Sequence, residues 1–371
     1  MDLNYGINGY IDVQAPRPVV VESTTPIGVV VPVKSENDLT YYNNASEWKE
    51  FLSNEGLTPD DLAYRTAMAI EAQGVATKII VTYVPEDSDA DTQKSNILSG
   101  LDVLRSAPYD ERVLDRPDLF IVPDHSYDLD VAAKMDSVAA VLKSTGIVDV
   151  NAASEAEAIS FRNNFGTRYL DFKTPRARAE GVLVPESAVV AGVYAYWDAA
   201  QPYGYARSHS NRIARGVSGT ERPIEYFDGV DCEARRLRQA GIGSIVQDVG
   251  WRIYGFETTD IDPIWQDLAR VRTFHRWLRA IIEANKWARD RGADQLVWVK
   301  KTCSEFFRKL TGAGIALGYE IYLDPNQCDV TAGKFTFVLK TANMPSIKEL
   351  NFILTFVDDY NDALIDGLNA A

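Results

Sequence analysis

The chain has 371 residues, a formal charge of −15, 46% apolar residues and 25% charged ones. That length calls for more than one core, the composition is that of a folded globular protein, and no apolar stretch approaches the roughly 18 residues of a membrane span. The acidic balance argues against the phosphate backbone of nucleic acid as a general partner, because such binding rests on Lys and Arg.

The first residues, MDLNYGINGYIDVQ, lack a basic segment followed by an apolar run, so no secretory signal is expected there. Residues 1–19 hold Gly6, Gly9, Pro16 and Pro18, with apolar alternation at Tyr5, Ile7, Tyr10, Ile11 and Val13. That pattern predicts an extended arm carrying a short strand with little of its own to pack against. Strands are expected at Val19–Val21 and Ile27–Val33, on either side of Pro26. An amphipathic pair at 45–53 and 61–73 precedes a strand at 78–84, and a helix at 92–105 precedes the strand DLFIVPD at 118–124. Helices at 129–143 and 154–164 precede strands at 146–150 and 168–172, and Ser154 with Glu157 reads as a capping box. Short apolar strands alternating with helices imply parallel pairing, with helices over the sheet, from about Val20 to Tyr203.

The second half has a different grammar. After the loop YGYARSHSNRIARGVSGTE at 203–221 come a short helix near 232–238 and the strands GSIVQD and WRIYGF. A long helix is expected from Pro263 to Arg289, capped by Asp262, with an apolar stripe of Ile264, Leu268, Val271, His275, Leu278 and Ile282. A helix at 294–310 leads to the strand IALGYEIYL, and further strands are expected at Lys334–Lys340 and Leu350–Val357. The domain reading is an arm at 1–19, an α/β domain at 20–203, a C-terminal α+β domain at 204–348, and a closing strand and arm at 349–371.

No motif for catalysis or cofactor binding emerges. GxxxxGK[ST], HExxH and GxSxG are absent, and Gly312, Gly314 and Gly318 follow a helix and precede a strand, the reverse of the dinucleotide-binding order. Cys232, Cys303 and Cys328 are far apart, which suits a reducing compartment and no disulfide or zinc framework. Of the three histidines, His275 sits on the apolar stripe and His125 at a strand end; His209, between Ser208 and Ser210, has no carboxylate nearby in sequence to orient it. No catalytic, cofactor or metal residue is assigned. Arginine is the recurrent theme: Arg207, Arg212 and Arg215 in the loop, Arg272, Arg276 and Arg279 along one helix flank, then Lys300, Lys301, Arg308 and Lys309 on the next helix. Such clusters in an acidic chain suit docking to an acidic neighbour.

The segment Gly204–Asn211, with Ile213 and Gly216-Val217-Ser218-Gly219, resembles the loop of contractile-tail sheath proteins. The likeness continues in Leu237–Ile242 and in Gly250-Trp251-Arg252-Ile253-Tyr254-Gly255. It then runs through Thr259, Asp262, Pro263 and Trp265 into Arg270-Val271-Arg272, and on to Asn326, Asp329, Gly333, Lys334 and Pro345. Two departures are Tyr205, where the family carries Trp, and Ile253-Tyr254, where it carries Val-Trp. The resemblance implies an α/β plate of subtilisin-like topology without a protease triad. It implies a non-enzymatic subunit that stacks in six-fold rings around an inner tail tube and contracts to drive that tube through a bacterial envelope. Expected partners are copies of itself, the tube, the baseplate and the tail terminator, with no nucleic acid, membrane or cofactor; the expected location is the virion tail, assembled in the host cytoplasm.

Within that resemblance, Arg207, Asn211, Gly216, Gly219, Arg252, Gly255 and Trp265 are expected to set the loop and its packing, and the loop's arginines to pair with acidic groups of their own chain or the next ring. Tyr5, Ile7, Tyr10, Ile11, Val13, Phe352, Leu354 and Phe356 are expected to enter a neighbour's sheet as exchanged strands. Lys300, Lys301, Arg308 and Lys309 are expected to face the tube. The competing readings are an α/β hydrolase relative acting through His125 or His209, and a host-binding virion module with exposed aromatics such as Trp197 and Tyr203.

Overall fold

Short β-branched runs separated by helices can bury both strand faces by parallel pairing under two helical layers. The computed structural model describes residues 18–33, 38–356 and 366–368, and its main sheet has this form. The strands are β1 (Ile27–Val33), β2 (Asp38–Tyr42), β3 (Ile79–Pro85), β4 (Leu119–Ile121), β5 (Thr145–Asp149) and β6 (Leu170–Lys173). Next come β7 (Ala177–Ala179), β8 (Val182–Val184) and β9 (Val217–Thr220), which form a small separate sheet. With β10 (Ile242–Gln247) and β11 (Trp251–Tyr254) the main sheet has eight strands, in the order β11-β10-β6-β5-β4-β1-β3-β2. Neighbours from β10 to β3 are parallel, and the two edges, β2 and β11, are antiparallel. The division expected at 203/204 cuts through this sheet, because Ile242 and Gly243 pair with Phe172 and Lys173.

The helices of this body are α1 (Ala45–Asn54), α2 (Leu62–Glu71), α3 (Ala90–Ser106), α4 (Leu129–Leu142), α5 (Glu155–Arg162), α6 (Glu186–Ala200) and α7 (Glu233–Gln239). One core joins α1, α2 and α6 to one sheet face; the other joins α3, α4, α5 and α7 to the opposite face. The expected cap holds at α5, where Ser154 Oγ accepts from Glu157 N at 3.3 Å. Helix α6 is buried from Glu186 to Ala195. It is apolar on nearly every side, so it has no stripe by which sequence periodicity could reveal it.

A second unit comprises α8 (Leu268–Asn285), α9 (Leu296–Gly312) and the antiparallel hairpin β12 (Ala316–Leu323) with β13 (Phe337–Asn343). Its core contains Trp277, Phe306, Phe307, Leu310 and Ile321, with Tyr205 from the loop. Val19 and Val21 form no strand and pack against this core instead, whereas β1 and β3 lie in the main sheet.

Three expectations fail here. The helix does not run unbroken from Pro263 to Arg289: Pro263–Trp265 is a separate 3-10 turn capped by Asp262, and Asp267 caps α8. The expected stripe is only partly internal, since Ile264, Leu278 and Ile282 are exposed while Arg272, Arg276 and Trp277 are buried. The reason is the surface beneath α8, which is acidic at two points, so the helix turns its arginines inward. The strand expected at Leu350–Val357 is not formed at 350–356, where no second strand among the described residues lies alongside to complete a ladder. The arm positions Tyr5, Ile7, Tyr10, Ile11 and Val13 lie outside the described residues.

Candidate functional site

Helix α6 runs opposite to the strands. Ser187 at its start donates to Asp149 at the end of β5, and Asp198 near its finish meets Thr25, which precedes β1. The N-terminal edge of the sheet therefore carries Asp198 beside Asp118, the residue before β4. Onto these carboxylates α8 lays three arginines. Arg272 reaches Asp198 at 2.5 Å and Asp118 at 3.0 Å; Arg276 reaches Asp118 at 2.8 Å and Asp198 at 3.1 Å. Arg279 also bonds Asp118. Burial alone would lift both carboxyls, but the surrounding guanidiniums outweigh it and hold both below the ordinary carboxylate range. Arg272 and Arg276 are 2% exposed, so the expectation that this helix flank is an electrostatic docking face is corrected. The flank is an internal clamp joining the two units.

His209 joins the same node. Its Nε2 lies 2.7 Å from Asp198 Oδ1, supplying the orienting carboxylate that sequence proximity did not reveal. The ring is fully buried between Tyr194 and Phe256, and burial lowers its pKa, so the neutral ring donates from Nε2 to the carboxylate. Nδ1 has no hydrogen-bond partner among the described residues. The hydroxyls beside it in sequence are engaged elsewhere: Ser208 Oγ accepts from Ser210 N, and Ser210 Oγ accepts from Gly255 N at 3.1 Å. A histidine and aspartate sealed from solvent, whose imidazole bonds no hydroxyl among the described residues, give orientation and cohesion. His275 stacks on Tyr169 at 5.4 Å, and burial followed by the Arg279 charge pushes it down to about 4.

A second buried polar group adjoins this node through Tyr194, whose ring lies 5.3 Å from that of His209. Asp171 pairs with Lys173 at 2.8 Å and accepts from Tyr194 Oη at 2.9 Å, both side chains of the ion pair being wholly enclosed. Asp149 accepts from the Ser187 hydroxyl and amide, yet burial lifts it to about 7. Among the described residues no three His, Cys, Asp or Glu side chains are grouped to hold a metal ion.

The arginine loop is built by its neighbours. It runs beside β11, with Asn211 N donating to Ile253 O at 2.6 Å, Ile253 N to Arg212 O and Ala214 N to Trp251 O at 2.9 Å. These bonds cover the outer edge of β11, which would otherwise offer unpaired amides. Arg252 Nη1 donates to the Asn211 carbonyl at 3.0 Å, and Asn211 sits at φ +64°. Gly255, at φ +110°, would place a Cβ 2.8 Å from Gly243 Cα, so glycine is required there. Trp265 packs edge-on to Phe274 and beneath Arg168. Gly216 lies at φ +73°, and Gly219 meets nothing closer than Arg178 at 3.8 Å. The loop's own arginines form no ion pair with described carboxylates: Arg212 stacks on Trp197 at 4.1 Å and Arg215 on Tyr196 at 4.0 Å, while Arg207 is exposed. The own-chain pairing expected for them is corrected to ring stacking.

Exposed features cluster on the second unit. Lys300, Lys301, Arg308 and Lys309 all lie on the exposed side of α9. Beyond β13, Ile347, Leu350, Phe352, Ile353, Leu354 and Phe356 are exposed, the last three between 80% and 99%.

No family model matches this chain. It is 29% identical over 308 residues to the putative prophage major tail sheath protein of Pseudomonas aeruginosa (strain UCBPP-PA14), a match covering 78% of this chain and 79% of that protein. It is 26% identical over 336 residues to the major tail sheath protein of Serratia phage KSP20, covering 83% of each. The fold matches the sheath of an extracellular contractile injection system, the PVC sheath complex in its contracted state, with a TM-score of 0.70, 17% identity and 98% of this chain covered. In sequence the chain is similar to tail sheath proteins, and in fold to the sheaths of contractile injection systems. Those relatives are tail sheath proteins, and the chain shares the mixed α/β fold of the solved sheaths.

In this chain the resemblance motifs and the buried node are neighbours, because Arg272 ends one motif and Asn211 closes another. Asp118 and Asp198 escaped the sequence reading. The available signal was Asp198 as the sole charge after Glu186 in the run ESAVVAGVYAYWDAA, where a lone carboxylate requires a buried partner.

Proposed function

We propose that the subunit assembles in six-fold rings around an inner tail tube, and that contraction of the stacked rings drives the tube through a bacterial envelope. Its body acts as a subtilisin-like plate, with residues 20–203 as its first part, 204–348 completing it and adding the C-terminal unit, and 1–19 and 349–371 as arms. The partners are other copies, the tube, the baseplate and the tail terminator, without nucleic acid, membrane or cofactor. Synthesis and assembly take place in the host cytoplasm.

The observation that carries this reading is the apolar run from Ile347 to Phe356, exposed beside a hairpin with open edges. Main-chain bonds to a neighbour's edge would cover Phe352, Leu354 and Phe356, and Tyr5, Ile7, Tyr10, Ile11 and Val13 would do the same from the other arm. Such bonds survive rigid-body rotation if the linkers bend, which Pro16 and Pro18 would localise. The tube is met by Lys300, Lys301, Arg308 and Lys309, whose charges lie free on α9. A structural rather than enzymatic role is supported by the relatives, which are tail sheath proteins, and by the full burial of His209 beside Asp198.

Electron microscopy of purified protein tests the reading: tubes or polysheath-like polymers are expected, and a monomer at every concentration contradicts it. Changing Lys300, Lys301, Arg308 and Lys309 to Glu should stop decoration of tubes while self-polymerisation persists; normally decorated tubes would remove the assignment of that face.

A further inference from the structure

We propose that the face formed by Arg207, Arg212 and Arg215 docks onto the acidic loop at residues 86–91 of a second copy, in a head-to-tail contact. The inference rests on the sheath reading and adds to it a named pair of surfaces.

The arginine face is prepared for an anionic partner. Trp197 and Tyr196 lie beneath the Arg212 and Arg215 guanidiniums, which fixes their planes. Arg215 is further held by donating to the Gln73 carbonyl at 2.7 Å. Arg207 is the charge that bears on Arg212, and it is a like charge. In a chain of net charge −15, three adjacent arginines without a carboxylate partner are an unusual surface.

The complementary surface exists on the same molecule, out of reach. Glu86, Asp87 and Asp89 follow β3 directly and Asp91 lies in the first turn of α3; all four are exposed and make no ion pair among the described residues. The arginine face is anchored to Gln73, which precedes β3, so it stands at the other end of that strand. The seven residues of β3 span roughly 20 Å at about 3.3 Å each. Opposite charges at opposite ends of one strand cannot satisfy each other within the chain. Between copies they can, and an interface joining two different patches is heterologous, the type that produces closed rings or open helices. Charge pairing of this kind is also exchangeable, because its partners can part in water at modest cost.

The test compares polymer formation of the full chain with that of three variants: Arg207→Glu, which removes no internal contact, Glu86→Lys with Asp91→Lys, and all three changes together. Each reversal alone is expected to raise the concentration needed for polymer by roughly tenfold, with melting of the monomer unchanged for Arg207→Glu and only slightly lowered where Asp91 leaves the first turn of α3, and the combined variant is expected to recover most of the polymer loss. Raising salt should weaken the parent polymer and leave the single-side reversals less affected. Parent polymers matched by those of both single-side variants would overturn the contact alone, and so would a combined variant no better than either. A parent chain that never polymerises would overturn the sheath reading and this contact together.

Discussion

Arg272 and Asp198 meet at 2.5 Å between α8 and α6, with 1% and 0% of their side chains exposed. The contact fastens the C-terminal unit to the N-terminal edge of the main sheet, and Arg276 and Asp118 close it from the other side. Guanidinium is suited to this position, since its fork serves two carboxylates at once.

Breaking that clamp from one side leaves a buried charge. Arg272→Met is expected to lower stability by about 3–5 kcal/mol, and Asp198→Asn by a similar amount. The double variant should cost clearly less than the two single losses added together, read from denaturant midpoints. Additive losses would mean the two residues are not coupled.

Asp149 makes stability depend on pH. Its folded carboxyl, lifted to about 7 by burial, keeps a proton that the unfolded chain has released above about 4. Between those values the native state loses stability as pH rises. Asparagine carries no such proton and keeps the amide bond from Ser187. The advantage of Asp149→Asn over the parent should therefore grow from pH 4 to pH 7, reaching on the order of 3 kcal/mol. Urea unfolding at the two pH values decides it, and an advantage that stays constant would contradict the assignment.

Gly204 has no room for a side chain. A Cβ would stand 2.6 Å from the Asp198 carbonyl and closer still to that of Trp197, both backbone atoms. Gly204→Ala should cost about 3 kcal/mol by pushing the loop off α6. A melting temperature equal to that of the parent would show that the loop can shift freely.

The exposed run after β13 separates folding from assembly. Changing Phe352, Leu354 and Phe356 together to Ser should alter monomer stability by no more than about 0.5 kcal/mol, since nothing among the described residues covers them. Polymer should be lost at the same time, as sedimentation would record. A destabilised monomer would place these residues in an internal core instead.

The alternating grammar from Ile27 to Lys173 was legible because parallel strands and their covering helices carry local signals: β-branched runs, caps such as Ser154, and helical periods. Helix α6 was not, because a helix enclosed on all sides has no polar face to mark its period. The sheath resemblance was legible in ordered short motifs, and several of their residues, such as Gly255 and Asn211, answer backbone constraints that sequence records directly.

The direction in which α8 faces was decided only in three dimensions. Periodicity favoured Leu278 and Ile282 as internal and Arg272 and Arg276 as external, and the fold reversed that choice. Asp118 and Asp198, remote in sequence from α8 and from each other, converge beneath it, and their charges outweigh the cost of burying arginine. Local pattern states what each element could bury; which face it does bury depends on what the distant chain brings to meet it.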